Sequence, residues 1–183
     1  IYGNTGLGKT HLIQAVGNEV KKDHHGKRVF YTTSEKFSVD YINSVQQGSK
    51  AMVTFKNKYR NYDLLIMDDI QFLSNKEKTQ EEFFHIFNEL YHNNKQIIFS
   101  SDKHPNYIPA LEARLKSRFS AGMIVDVQEP EYESRLAILQ AKAETQKFSP
   151  SNDVIEYLAS SVQGNIRELE GLLNGIICQS QLK

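Results

Sequence analysis

The residues best suited to chemistry lie at the start of the chain. Gly3-Asn4-Thr5-Gly6-Leu7-Gly8-Lys9-Thr10 places glycines, a lysine and a hydroxyl residue at the spacing that wraps backbone around a polyphosphate. The glycines allow a tight turn that presents consecutive N–H groups to anionic oxygens, and a helix beginning at Lys9 adds the positive end of its dipole. Lys9 is placed to reach the β- and γ-phosphates, and the Thr10 hydroxyl is a Mg²⁺ ligand. Asn4, Thr5, Gly6, Leu7, Gly8, Lys9, Thr10 and His11 thus form a nucleotide-contacting stretch that calls for ATP or ADP with Mg²⁺. Asn4 tolerates positive φ better than most residues. A second feature is Leu64-Leu65-Ile66-Met67-Asp68-Asp69, which sets two acids at the carboxyl end of an apolar run. Ligands of open α/β sheets bind at that edge. Asp68 is placed to hold Mg²⁺ and Asp69 to orient and deprotonate an attacking water; the plainer reading of the pair is a helix N-cap or a turn.

Such residues need a scaffold, and apolar runs alternate with helical patterns in the way that gives a parallel sheet with crossover helices. Ile1-Tyr2 reads as the stub of a first strand, which makes the chain look like a fragment of a longer protein. Further strands are expected at Arg28–Thr32, Leu64–Met67, Gln96–Ser101 and Met123–Val127, five in all. Helices are expected at Lys9–Lys22, from Ser34 as cap to Val45, at Ala51–Tyr59 and at Thr79–Asn93. The strand at Val29–Thr32 implies that the phosphate-loop and acid-bearing strands are not neighbours. Beyond Pro130 the pattern is purely helical, at Glu133–Thr145, Asn152–Ser161 and Ile166–Gln181. The expected division is an α/β nucleotide-binding domain over 1–129 and a helical lid over 130–183.

Composition bounds the partners. Lys+Arg and Asp+Glu balance at 22 each among 183 residues, which excludes a broadly basic nucleic-acid coat but not a local basic patch. The single cysteine, Cys178, rules out an internal disulfide, fits a reducing cytoplasmic setting and reads as a small core residue of an apolar helix. No apolar run reaches the ~18 residues of a membrane span.

Six blocks then occur in a family's order: the phosphate loop, Leu64–Phe72, Gln80-Glu81-Glu82-Phe83-Phe84, Ser100-Ser101-Asp102, Arg114-Leu115-Lys116-Ser117-Arg118-Phe119 and Asn165-Ile166-Arg167-Glu168-Leu169-Glu170-Gly171. Together they resemble the AAA+ ATPase domain of the bacterial DnaA replication initiators across nearly the whole chain. The resemblance implies a three-layer AAA+ fold with a five-stranded parallel sheet and a small helical lid. It implies that Asp102, with Ser101 as the neighbouring alternative, is the polar sensor of γ-phosphate and water. Arg118 looks like the finger that completes the next subunit's site, supported by Arg114. Arg167 looks like the lid sensor that contacts the nucleotide phosphates. Taken alone, these arginines read as a solvated basic helix with Lys116, and as a surface salt bridge of Arg167 with Glu168 or Glu170.

The resemblance also implies a head-to-tail homo-oligomer on DNA, an open filament because finger and site lie on opposite faces. Val45, Lys76 and Lys78 match the positions that bind single-stranded DNA in the family, whereas Asn75–Lys78 alone reads as a solvated loop. The family's duplex-reading C-terminal domain would follow Lys183. Two other readings stand beside the initiator: an AAA+ helicase loader or regulator of initiation, and a nucleotide-binding scaffold that does not hydrolyse.

Overall fold

The computed structural model describes residues 1–162 and 164–182. The chain forms two compact units. One contains Ile1–Gly3 and Lys9–Asp126, the other Asn4–Gly8 and the chain from Val127 onward. The division after Asp126 falls just ahead of the expected boundary and places the loop Asn4–Gly8 with the helical unit.

In the first unit, β1 (Val29–Thr33), β2 (Leu64–Asp68) and β3 (Gln96–Phe99) form a parallel sheet in that order. Val29 pairs with Leu64 and Leu64 with Gln96, with no slip along the ladders. β2 is buried at all five positions, which is why its sequence is a continuous apolar run. Single parallel bridges carry the sheet on from Ser101 to Tyr2 and from Tyr2 to Asp126. The expected first and last strands are therefore represented by bridges rather than ladders. In the segment Met123–Val127 only Asp126 forms a bridge, and Met123 is 90% exposed. The phosphate-loop and acid-bearing strands are not neighbours, as expected. The strand between them is β3, while Val29–Thr33 lies on the far side of β2.

Helices cover both faces. On one side α1 (Lys9–Asp23) buries Ile13 against Leu64 and Ile66. It packs closely because position 17 is glycine; a Cβ there would lie 2.8 Å from Ile66 Cδ1. On the other side, α2 (Ser34–Gln47), α3 (Ser49–Arg60) and α4 (Glu77–His92) enclose an aromatic core of Phe37, Phe55, Tyr59 and Phe83 over Leu65 and Met67. The short helix α5 (Ala113–Ser120) adds Leu115 and Phe119. Asp40 ties α2 to α3, accepting from Lys58 at 2.6 Å and from Tyr59 at 3.0 Å. The N-cap of α2 is Thr33, whose hydroxyl accepts from Lys36 N at 3.1 Å, and not Ser34 as expected. Ser34 is instead fully buried and donates to Asp69 O at 2.5 Å.

In the second unit, α6 (Tyr132–Thr145), α7 (Asn152–Ser161) and α8 (Ile166–Gln181) pack around Leu139, Ile155, Leu158, Leu169, Leu173 and Ile177. Arg135 fastens α7 to α6, donating to Ala159 O and Pro130 O at 2.8 Å each. Cys178 is exposed, which corrects the expectation of a core residue. The buried stripe of α8 runs through Leu169, Leu173 and Ile177, and the next residue points about 100° away from it. Among the described residues no helix is long and apolar enough to cross a membrane.

Candidate functional site

The loop before α1 has the backbone its sequence demands. Gly6 and Gly8 both hold φ at +84°, where other residues are strained. Asn4 keeps a negative φ, so its tolerance of the left-handed region is not used. Lys9 opens α1, is 7% exposed, and donates its ammonium to Gly3 O at 2.7 Å. Leu7 is buried, Thr10 half-buried and His11 exposed. Within the second unit the loop meets the start of α8: Ile166 N donates to Gly6 O at 3.0 Å. A Cβ on Gly6 would fall 2.7 Å from Asn165 Cγ and Oδ1. Asn165 caps α8 by accepting from Glu168 N at 3.1 Å. Arg167, exposed in the first turn of α8, has no ion pair among the described residues. Its two candidate partners are used elsewhere, Glu170 by Lys142 at 2.7 Å and Glu168 by Asn165 at 3.0 Å.

At the carboxyl edge of the sheet three acids are wired together. Asp68 is 2% exposed; its Oδ2 accepts from the Tyr31 hydroxyl at 2.7 Å and its Oδ1 from the Ser100 hydroxyl. Burial, then the bond to Asp68, pushes the Tyr31 phenol up to about 12, so it stays a donor. Ser100 Oγ also accepts from Asp69 N at 2.9 Å, so one hydroxyl fixes both acids. Asp69 holds a left-handed backbone, φ +56°, at the head of the 3₁₀ turn Ile70–Leu73, but its carboxylate makes no capping bond. Gln71 instead donates to Asp69 Oδ1 at 3.0 Å and accepts from Asp102 N at 3.3 Å. Asp102 Oδ1 is buried with no partner among the described residues. Ser101 is buried, and its hydroxyl accepts from Lys103 N. Tyr31, Gln71 and Ser100 were not singled out from sequence; only Gln71 carried a local signal, two residues after an acid.

This edge fits a divalent cation. Hydroxyls take one lone pair on each Asp68 oxygen, leaving others free, and Thr10 and Asp68 are the hard oxygen donors that Mg²⁺ prefers. Asp102, as a carboxylate, can only accept, so it suits a water rather than a phosphate oxygen.

The remaining predicted residues lie on other surfaces of the first unit. Arg114 is exposed and folded back, its Nε on Glu112 and its guanidinium 4.7 Å from the Phe84 ring centre. Arg118 lies 5.8 Å from the Tyr91 ring centre. Val45, Lys76 and Lys78 meet around one groove of about 550 Å³, together with Tyr41, Ile42 and Asn75. Val45 is 53% exposed and Lys78 is exposed, so the groove offers an apolar wall beside an exposed cation.

A glycine-rich loop ahead of α1, an acid pair at the carboxyl edge of a parallel sheet and a three-helix unit later in the chain define the AAA+ class of P-loop proteins. A profile of the bacterial DnaA ATPase domain matches residues 1–126, and the chain belongs to that family. It is 51% identical over 182 residues to the chromosomal replication initiator protein DnaA of Caldanaerobacter subterraneus subsp. tengcongensis, covering all of this chain and 41% of that protein. It thus spans about two-fifths of that relative's length. Domain III of the Thermotoga maritima DnaA superposes with a TM-score of 0.94 at 37% identity, over 99% of this chain and 75% of that one. A replication initiator DnaA bound to AMPPCP and single-stranded DNA gives 0.84 at 42% identity, over 96% and 53%.

Proposed function

We propose that this chain is the ATP-switched assembly domain of a bacterial replication initiator. It takes ATP or ADP through Asn4–His11, with residues 1–129 as the nucleotide-binding domain and 130–183 as the lid. Thr10 and Asp68 would hold Mg²⁺, which would supply positive charge against the phosphates. Asp69 accepts the proton of the attacking water and Asp102 orients that water. Arg167 reads the phosphates from the lid. Arg118, with Arg114 in support, completes the site of the next copy of the chain, so assembly depends on a γ-phosphate that ADP lacks. Asp69 is shorter than glutamate, and its carboxylate is already held by Gln71, which suits slow hydrolysis that resets the switch. The assembled domain engages single-stranded DNA along Val45, Lys76 and Lys78, by backbone-directed and salt-sensitive contacts. Duplex recognition belongs to a further domain, and the setting is the cytoplasm, at the nucleoid.

The observation that carries this reading is the joining of Asp68, Asp69 and Asp102 by two side chains, Ser100 and Gln71. A pure scaffold has no need of so constrained an acidic edge. Membership of the DnaA family favours the initiator over a helicase loader. The deciding experiment is single-stranded DNA binding in ATP against ADP, with Lys78→Ala and Arg118→Ala. Tighter binding in ATP, lost in both variants, is expected; equal binding in the two nucleotides removes the switch.

A further inference from the structure

The block Gln80-Glu81-Glu82-Phe83-Phe84 has no role in the site as described, yet its first residue is among the most constrained polar groups in the chain. Gln80 is completely buried on α4. Its Nε2 donates to Leu73 O and to Ala110 O, each at 2.9 Å, and its Oε1 accepts from Glu112 N at 2.8 Å. Two backbone acceptors and one backbone donor leave only one orientation of the amide. The partners belong to two separate segments. Leu73 ends the 3₁₀ turn that begins directly after Asp69, whereas Ala110 and Glu112 lead straight into α5, which carries Arg114 and Arg118.

Other features hold the same junction. Ser74 donates to Pro109 O at 2.5 Å, a parallel tie one residue along each segment. Ala110 is kept at φ +48°, a conformation a residue with a Cβ adopts only when its surroundings impose it. One turn further along α4, Phe84 lies under the Arg114 guanidinium. Packing alone would be served by an apolar residue, since a buried amide is costly unless every group is matched.

We propose that Gln80 is a positioning residue that couples the nucleotide-facing acid segment to the arginine helix α5. A shift of the turn after Asp69 is passed through one rigid amide to the backbone that sets Arg118. The inference rests on the trans role of Arg118 proposed above.

The test uses the full-length protein with Gln80→Met, Ser74→Ala and Arg118→Ala. Three quantities are measured: ATP and ADP affinity at low protein concentration, ATP-dependent self-association, and amide hydrogen exchange over Ala113–Ser120 in each nucleotide. Gln80→Met is expected to keep nucleotide affinity within about twofold while weakening ATP-dependent association by about tenfold, the scale of one lost buried hydrogen bond. It also abolishes the difference in α5 exchange between ATP and ADP. Ser74→Ala, at a half-buried position that threatens the fold less, moves association and exchange the same way by a smaller factor. Normal association in Gln80→Met and Ser74→Ala, beside a defective Arg118→Ala, overturns the coupling alone. A matching loss of nucleotide affinity and association reduces Gln80 to a structural part and also overturns it. Full association in Arg118→Ala refutes the trans arginine and the coupling with it.

Discussion

Replacing Gly6 with alanine isolates the meeting of the glycine-rich loop with the start of α8. Two costs arise. A residue with a Cβ at φ +84° loses about 1–2 kcal/mol in the left-handed region. The new Cβ would also lie 2.7 Å from Asn165 Cγ and Oδ1, closer than a Cβ approaches a non-bonded atom. Either Asn165 swings away and α8 loses its cap, worth about 1 kcal/mol, or the loop retreats and loses the bond from Ile166 N to Gly6 O, also about 1 kcal/mol. The total is about 2–3 kcal/mol, equivalent to a loss of roughly 30- to 150-fold in nucleotide affinity if the loop is what moves. Gly48→Ala is the control, because φ is +92° there and nothing lies within 4 Å of the added atom. It carries only the backbone cost, far from the loop. Gly8→Ala falls between, since its Cβ meets only Ile166 Cδ1 at 3.4 Å. Titration with a fluorescent nucleotide and thermal melting of all three variants give the ranking. Equal effects of Gly6→Ala and Gly48→Ala on both measurements would refute the argument.

Two further outcomes concern the first unit. Asp63 accepts from Arg28 N at 3.0 Å and from Lys95 at 2.9 Å, with Lys27 at 3.6 Å, and these hold its carboxyl well below the usual range. A depressed folded value stabilises above the unfolded value of about 4 and is lost as pH falls below it. Asp63→Asn should therefore lower the denaturation midpoint at pH 7, and its gap to the parent should narrow progressively as pH falls below about 4. Phe83 is fully buried, with ring centres 5.3 Å from Phe37 and 5.9 Å from Phe99. Phe83→Ala should cost about 3–5 kcal/mol, read as a melting point lower by about 10 °C. Val53→Ala, at 59% exposure, should stay within about 0.5 kcal/mol.

Much of this was legible in the sequence where the signal is local. The continuous run Leu64–Met67 named the central strand, the glycines named the loop, and periodicity placed seven of the helices within about two residues of their ends. What stayed hidden depends on tertiary neighbours. Ser100 matters because β3 lies beside β2, and Gln80 because the chain returns at Ala110; neither is encoded within a window of adjacent residues. Cys178 was misjudged for a different reason. Ile176-Ile177-Cys178 looks apolar as a run, but the phase set by Leu169 and Leu173 puts Ile177 inside, Ile176 at the edge of the core and Cys178 outside.

The ammonium of Lys9, resting on the Gly3 carbonyl at 7% exposure, has lost most of its hydration shell before any anion arrives. A phosphate there meets a charge already stripped of most of its water, so little solvent reorganisation opposes its entry. On the proposed reading, mobile electrolyte screens such a sheltered charge weakly, while the exposed Lys78 would act within the counterion atmosphere of bound DNA. The two proposed readers of phosphate would then differ in their response to ionic strength. Rising salt would release the nucleic acid first and leave the nucleotide in place, so the domain would let go of a strand without forgetting which nucleotide it holds.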